Sequence, residues 1–399
     1  MALQRKKLPE GVQDFLPEEC KCKRELEETL RQEFLKNGFL EVETPSFEYY
    51  DVFSKGIGAY MEEHMIKFID NQGRILALRP DLTVPIARMA ALALPPEEKH
   101  RLFYIQNAFG VSDYSIGQRS EFTQAGVEYL GKAGSGADAE IAALAIKCLL
   151  KTGLKDFKLD MGQVGFFKGI VQDAGLEEEC VEELRSLIDS KNTVELEYKL
   201  SALALPQELK EKLLALPGLF GGGEVLKKAR ELSDTPACQA AIDNLEEVYE
   251  ALLAFGYGDY LSLDLGMLHK LNYYSGVIFR GISQEMGFPL LSGGRYDGLN
   301  GEFGTERPAV GFALGLKRVL IALERQGDLS PQEQDYILVA VSGAAGIGEG
   351  NLFAQKRRSA GQTVVLEIVE KQEELAAYRE EKSCRAIYYF DNGAKVRLK

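Results

Sequence analysis

The sequence predicts an α+β fold: an antiparallel sheet flanked by helices, with a helical insertion and a small C-terminal α/β module. Three observations carry that expectation. β-Rich runs closed by Pro, Gly or Asn alternate with helical stretches up to residue 163 and resume after residue 260. Residues 164–255 are helical in pattern and locally charged, with turns at GLFGGGE and SDTPA. Beyond a polar linker, residues 335–399 alternate β-α-β-α-β, the spacing of a small parallel module.

In chain order, KLPEGVQDFLPE reads as an extended lead-in broken by Pro9, Gly11 and Pro17. A charged helix follows from about Glu18 to Asn37, because Leu26, Leu30 and Phe34 recur every four residues as one stripe. FLEVETP, MIKFID and RILALRP read as strands, and a helix from Pro85 to about Leu94 ends at a double proline. RLFYIQNAF and FTQAGVEYLG form an antiparallel hairpin-like pair joined by the polar loop VSDYSIGQRSE. A helix at 137–152 precedes the strand FKLDMGQ, and the insertion begins at about Val164. YLSLDLGML, NYYSGVIFRGI and PLLSGGRYDGL are strands, with a helix expected at VGFALGLKRVLIALE. The domain expectation is therefore a first domain at 1–325 with its insertion at about 164–255, a linker at 326–334, and the module at 335–399. Within that module, helices are expected around Leu352–Ala360 and Glu373–Lys382.

Composition narrows the function classes. The chain has 399 residues, 45% apolar, with Lys+Arg 47 against Asp+Glu 61 and a formal charge of −14. That balance excludes collagen-like, disordered and small disulfide-stapled classes. No apolar run approaches the ~20 residues that cross a bilayer. The start, MALQRKKLPEGVQDF, has basic residues without a following hydrophobic stretch, so a soluble, cytoplasmic chain without membrane contact is expected. The acidic balance works against broad polyanion binding. Cys20, Cys22, Cys148, Cys180, Cys238 and Cys384 are scattered and expected to be reduced and packed in cores. With His64, His100 and His269 as the only histidines, no metal site is expected.

The generic catalytic signatures are absent. Gly343, Gly346, Gly348 and Gly350 have the wrong spacing for a dinucleotide fingerprint and read as a flexible βα connection, and no phosphate-binding loop or nucleophile elbow occurs. What remains is polar residues inside apolar segments: LRPDLT, FTQAGVE, LHKLNYYSG and LSGGRYDG. On extended strands Gln124 and Glu128 share a face, as do Asp81 and Thr83. Together they would form an acceptor-rich cup for a small ligand with an ammonium group and further N–H donors. The pattern serves equally well for polar positions on half-exposed strands.

These same residues carry a resemblance. KLPEGVQDFLPEE resembles the entry segment of histidyl-tRNA synthetases, and FLEVETPSFE with Pro45 resembles motif 1 of the class II aminoacyl-tRNA synthetase fold. RLFYIQNAF through FTQAGVEYLG is similar to motif 2, LHKLNYYSGVIF and LSGGRYDGL to the two histidine-specific signatures, and AVGFALGLKRVL with Arg318 to motif 3. The matches run in order from about residue 7 to 325. Carried over by position, Asp81 (Glu in the synthetases), Thr83 and Gln124 would receive the α-amino end of histidine. Glu128 and Tyr274 would face the imidazole, with Tyr273 beside them.

The adenylation chemistry does not carry over. The motif 2 arginine is replaced by Gly110, the loop keeps only Arg119 in a shifted place, and the first histidine signature has His269 where an arginine belongs. Lys270 is one residue off and points to the other face of an extended strand. Arg318 would be a remnant of the nucleotide pocket. A synthetase-like chain with the amino-acid pocket, without the catalytic arginines and with a reduced tail resembles the regulatory subunits of ATP phosphoribosyltransferase. The resemblance implies a non-catalytic protein without a cofactor, needed for the first step of histidine biosynthesis, with L-histidine as allosteric ligand. It also implies a hetero-octamer with the short-form catalytic subunit, a homodimer through the motif 1 region, and no tRNA partner. The competing expectation is an enzyme, a divergent histidyl-tRNA synthetase or a synthetase-like ligase. A free histidine sensor is a third.

Overall fold

The computed structural model describes residues 7–54, 64–111, 120–268, 273–284, 286–327, 335–391 and 394–399. The chain divides into two compact units, Met1–Leu329 and Ser330–Lys399.

The first unit is built on a nine-stranded sheet in the order β1-β5-β6-β12-β11-β10-β7-β9-β8. In chain order these are β1 (Leu40–Glu41), β5 (His100–Phe109), β6 (Glu121–Leu130), β7 (Lys158–Gln163), β8 (Phe220–Gly221), β9 (Leu261–Asp264), β10 (Val277–Ile282), β11 (Leu291–Arg295) and β12 (Ala309–Gly315). The central pairs are antiparallel, and the parallel pairs β1–β5 and β7–β9 lie toward the edges. A separate antiparallel sheet holds β2 (Phe47–Tyr49), β4 (Ile75–Leu78) and β3 (Lys67–Ile69) in that order.

Helices α1 (Pro17–Lys36) and α3 (Ser135–Lys151) cover the sheet face that bears Ala125, Val127 and Tyr129 of β6. Leu26, Leu30 and Phe34 are the buried stripe of α1 that the four-residue spacing marks. The opposite face, with Tyr104, Ala108 and Leu130, is covered by α2 (Thr83–Ala93) and the residues around it. This division follows from strand alternation, with odd positions of β5 and β6 on one face and even positions on the other.

The insertion holds six helices: α4 (Val164–Val171), α5 (Glu178–Asp189), α6 (Thr193–Ala202), α7 (Gln207–Ala215), α8 (Glu224–Leu232) and α9 (Pro236–Ala254). It is joined to the main sheet by β8, which pairs antiparallel with β9 in the register Phe220↔Asp264. Asp189, the last residue of α5, accepts from Arg280 of β10 at 3.1 Å.

Several expectations need correction. VGFALGLKRVLIALE is not one helix: Ala309–Gly315 is a strand and only Leu316–Arg325 (α10) is helical. Strand β12 lies between β6 and β11 and is buried on both faces, so the alternation that marks a strand is lost. Gly293 and Gly311 let these backbones close, since a Cβ at Gly293 would lie 2.5 Å from the Gly311 carbonyl oxygen. In FLEVETP only Leu40 and Glu41 pair as strand. Of the cysteines, all free, Cys148, Cys238 and Cys384 are core residues, whereas Cys20, Cys22 and Cys180 are half-buried.

In the second unit β13 (Tyr336–Ser342) has parallel partners β14 (Val364–Ile368) and β15 (Cys384–Asp391), and β16 (Ala394–Arg397) adds an antiparallel edge. The glycines from Gly343 to Gly350 belong to the long helix α11 (Gly343–Ser359) and not to a flexible connection. Close packing explains two of them: a Cβ at Gly346 would lie 2.5 Å from the Phe390 carbonyl oxygen, and one at Gly350 would lie 2.2 Å from Val341 Cγ1. The second expected helix is a 3₁₀ turn, Gln372–Leu375, followed by the short helix α12 (Ala376–Glu380).

Candidate functional site

The even-numbered face of β6 points Glu128 into the first unit, where it is 1% exposed. Gly311 of β12, directly opposite in the ladder, makes room for it: a Cβ there would lie 1.9 Å from Glu128 Oε2. Thr83 Oγ1 donates to Glu128 Oε1 at 2.9 Å, and the Tyr296 hydroxyl donates to Oε2. Asp81 precedes α2 and accepts the Val84 N–H at 3.2 Å. Asp81 and Thr83 are thus not strand neighbours. They are at and just before a helix start, and the turn into α2 delivers them to the strand face that carries Glu128.

The Tyr273 ring lies 4.8 Å from that of Tyr274 and 5.8 Å from that of Tyr296. On β5 the Tyr104 side chain enters over Gly126, where a Cβ would approach its hydroxyl to 2.4 Å. The structure therefore gathers Asp81, Thr83, Glu128, Tyr273 and Tyr274 into one cup. Gln124 shares their face of β6, four residues further along, about 13 Å away at strand rise. Tyr104 and Tyr296 were not among the expected residues. Tyr296 lies within the polar segment LSGGRYDG, and Tyr104 faces a glycine across the hairpin register, which is the signal for it.

Burial dominates the electrostatics. It raises the Asp81 carboxyl to about 6 and the Glu128 carboxyl to about 8. For Glu128, the hydrogen bonds from Tyr296 and Thr83 act in the opposite direction, and the Asp81 charge adds to the rise. The same burial, with Glu128 nearby, raises the Tyr104, Tyr273 and Tyr296 phenols well above their ordinary value. Neither carboxyl forms an ion pair among the described residues. Asp81 Oδ2 and Gln124 Oε1 are buried acceptors without a donor among the described residues. A cup of this composition accepts a small cation with several N–H groups.

An acid whose folded pKa is raised is more protonated in the folded than in the unfolded chain, so its contribution to stability falls as pH rises through that window. The ligand-free protein is expected to lose stability between about pH 5 and 8 in urea titrations. Glu128→Gln should remove the part of that slope above about pH 6; an unchanged slope would mean that Glu128 is ionised throughout.

Gly110 follows β5 directly, its N–H donating to the Ser120 carbonyl at 3.0 Å, and provides no side chain. The Arg318 guanidinium donates to the Pro289 carbonyl at 2.7 Å and lies 5.1 Å from the Phe288 ring centroid. It has no carboxylate partner among the described residues. His269, Lys270 and Arg119 lie outside the described residues. Among the described residues no group of three or more His, Cys, Asp or Glu could hold a metal ion, and no helix is long and apolar enough to cross a membrane.

The histidyl-tRNA synthetase family model matches residues 11–319. The ATP phosphoribosyltransferase regulatory subunit of Ruminiclostridium cellulolyticum is 45% identical over 320 residues, 80% of this chain and 76% of that one. The protein of the same name from Clostridium acetobutylicum is 38% identical over 399 aligned positions, 98% and 97% of the two chains. The crystal structure of an ATP phosphoribosyltransferase regulatory subunit/histidyl-tRNA synthetase from Bacillus halodurans is similar with a TM-score of 0.85 at 31% identity, covering 98% of this chain and 99% of that one.

Proposed function

Because the chain belongs to the ATP phosphoribosyltransferase regulatory subunits, a family with the histidyl-tRNA synthetase fold, we propose that its cup binds L-histidine and makes the transferase histidine-sensitive. Its role is regulatory, in histidine biosynthesis, and its partner is the catalytic subunit of ATP phosphoribosyltransferase. The observation that carries the ligand is the set of buried acceptors: the Asp81 and Glu128 carboxyls and Gln124 Oε1. Histidine is small and presents an ammonium at one end and ring N–H groups at the other. Asp81, Thr83 and Gln124 take the ammonium end; Glu128 and Tyr274 face the imidazole, beside Tyr273. A ligand shifts an assembly only through its differential affinity for two arrangements, so the cup differs between the active and inhibited complexes.

Loss of the chain's own aminoacylation follows from missing cations. Adenylation develops charge on a carboxylate and a phosphate, and removing one preorganised donor typically costs about 10²–10³ in rate. Gly110 offers no side chain, and Arg318 is held by a backbone carbonyl and an aromatic face. No tRNA partner is assigned. A homodimer through the motif 1 region is supported by the outer sheet, where Phe47 is 51% and Ile69 71% exposed beside Phe68 and Ile75. With the short-form catalytic subunit these dimers build a hetero-octamer.

Reconstitution with a short-form catalytic subunit tests this reading. Activity should rise on mixing and fall again with histidine, and the chain alone should catalyse no ATP–pyrophosphate exchange. Robust histidine-dependent exchange would make it a synthetase.

A further inference from the structure

A second cavity, of about 220 Å³, lies on the opposite face of the sheet from the cup. Its walls are residues 107 and 121–123 at the loop end of the β5–β6 hairpin, the lead-in with Lys23 of α1, and the start of α10. It shares no residue with the cup, so nothing about histidine bears on it.

The cavity has two chemically different ends. At one, the Lys23 and Lys317 ammoniums flank the Phe15 ring, 5.4 and 5.6 Å from its centroid. Lys23 pairs with Glu27 at 3.0 Å, but Glu27 is already neutralised by Arg24 at 2.5 Å. Lys317 reaches Glu19 only at 3.6 Å, and Glu19 is 51% exposed, a geometry that holds a pair weakly. Two ammoniums, each with one carboxylate partner, thus lie within 6 Å of the same aromatic ring at this end of the cavity. At the other end Thr123 Oγ1 donates to Asn107 Oδ1 at 2.7 Å, and Asn107 Nδ2 donates to Glu121 Oε1 at 2.8 Å. The chain of hydrogen bonds leaves the Glu121 carboxylate as a terminal acceptor.

We propose that this cavity binds a small amphoteric molecule, with its anionic head between Lys23 and Lys317 and its amine toward Glu121. A carboxylate or phosphate head bridged by two ammoniums displaces the loose Glu19 contact, and Phe15 packs against the ligand's carbon stem. The volume suits a molecule of amino-acid size. Thr123 lies next to Gln124 of the cup face, so both sites share strand β6.

Ligand-observed NMR on the full chain, with phosphoethanolamine and γ-aminobutyrate as probes, tests the assignment. Both should bind saturably and more tightly than acetate, inorganic phosphate or ethanolamine. Lys317→Ala and Glu121→Ala should each weaken them about tenfold, the equivalent of one charge-assisted contact. Binding should persist in Glu128→Ala, which removes one of the cup's two carboxyls. No saturable binding, equal binding of acetate, wild-type affinity in both cavity variants, or loss in Glu128→Ala would each overturn the proposal.

Discussion

Glu128→Ala is expected to abolish histidine inhibition of the reconstituted transferase while leaving activation of the catalytic subunit intact. The carboxyl is 1% exposed, accepts from Thr83 and Tyr296, and is the acceptor that the imidazole end of histidine would meet. A hydrogen bond to a charged group is worth about 1.5–3 kcal/mol, so affinity should fall about 10- to 150-fold. The carboxyl is buried away from the protein surface, which separates the two readouts. Titrating histidine into the wild-type and variant chains gives the affinity directly, and inhibition curves of the complex give its consequence. Inhibition unchanged in the variant would place the effector elsewhere, for example at the subunit interface.

The largest loss of stability is expected from Arg295→Met. Arg295 is 6% exposed, and its guanidinium lies 2.7 Å from Asp138, which has no exposure at all. It also pairs with Asp297 at 2.9 Å and donates to the Lys132 and Gly134 carbonyls. Removing it leaves Asp138 buried beside unpaired carbonyls, and breaking a buried pair from one side costs about 3–5 kcal/mol. Burial already raises the Asp138 carboxyl to about 6 against the pull of Arg295, so the variant should be more stable in mild acid than at neutral pH. Arg295→Met combined with Asp138→Leu should recover most of the loss, because two apolar residues leave no uncompensated charge. Urea denaturation measures all three chains, and a single variant within about 1 kcal/mol of wild type would contradict this account.

Local pattern exposed the hairpin β5–β6 and the stripe of α1, where one face is buried and the period is plain. It failed at VGFALGL, where burial on both faces erased the alternation. The site was legible only in part. Strand alternation, which Asp81 and Thr83 do not follow, is the pattern that puts them in one cup with Glu128, although their polar character inside apolar segments points the right way. Tyr296 reaches Glu128 across 168 residues of sequence, and Arg295 reaches Asp138 across 157. Contacts of that span leave no local periodicity.

The two-residue strand β8 limits how this architecture can be cut. It belongs to the insertion, yet it closes the edge of the main sheet on β9, and the Leu265 N–H reaches back to the Leu219 carbonyl at 3.0 Å. Lys191 adds a contact to Asp264 at 2.8 Å. Splicing residue 163 directly to 261 would uncover the β9 edge and strip the buried apolar side of α3 that α9 covers, leaving a surface apt to pair with another chain. The helical segment is thus not a portable cassette, and chimaeras between relatives should exchange it only together with β7, β9 and α3.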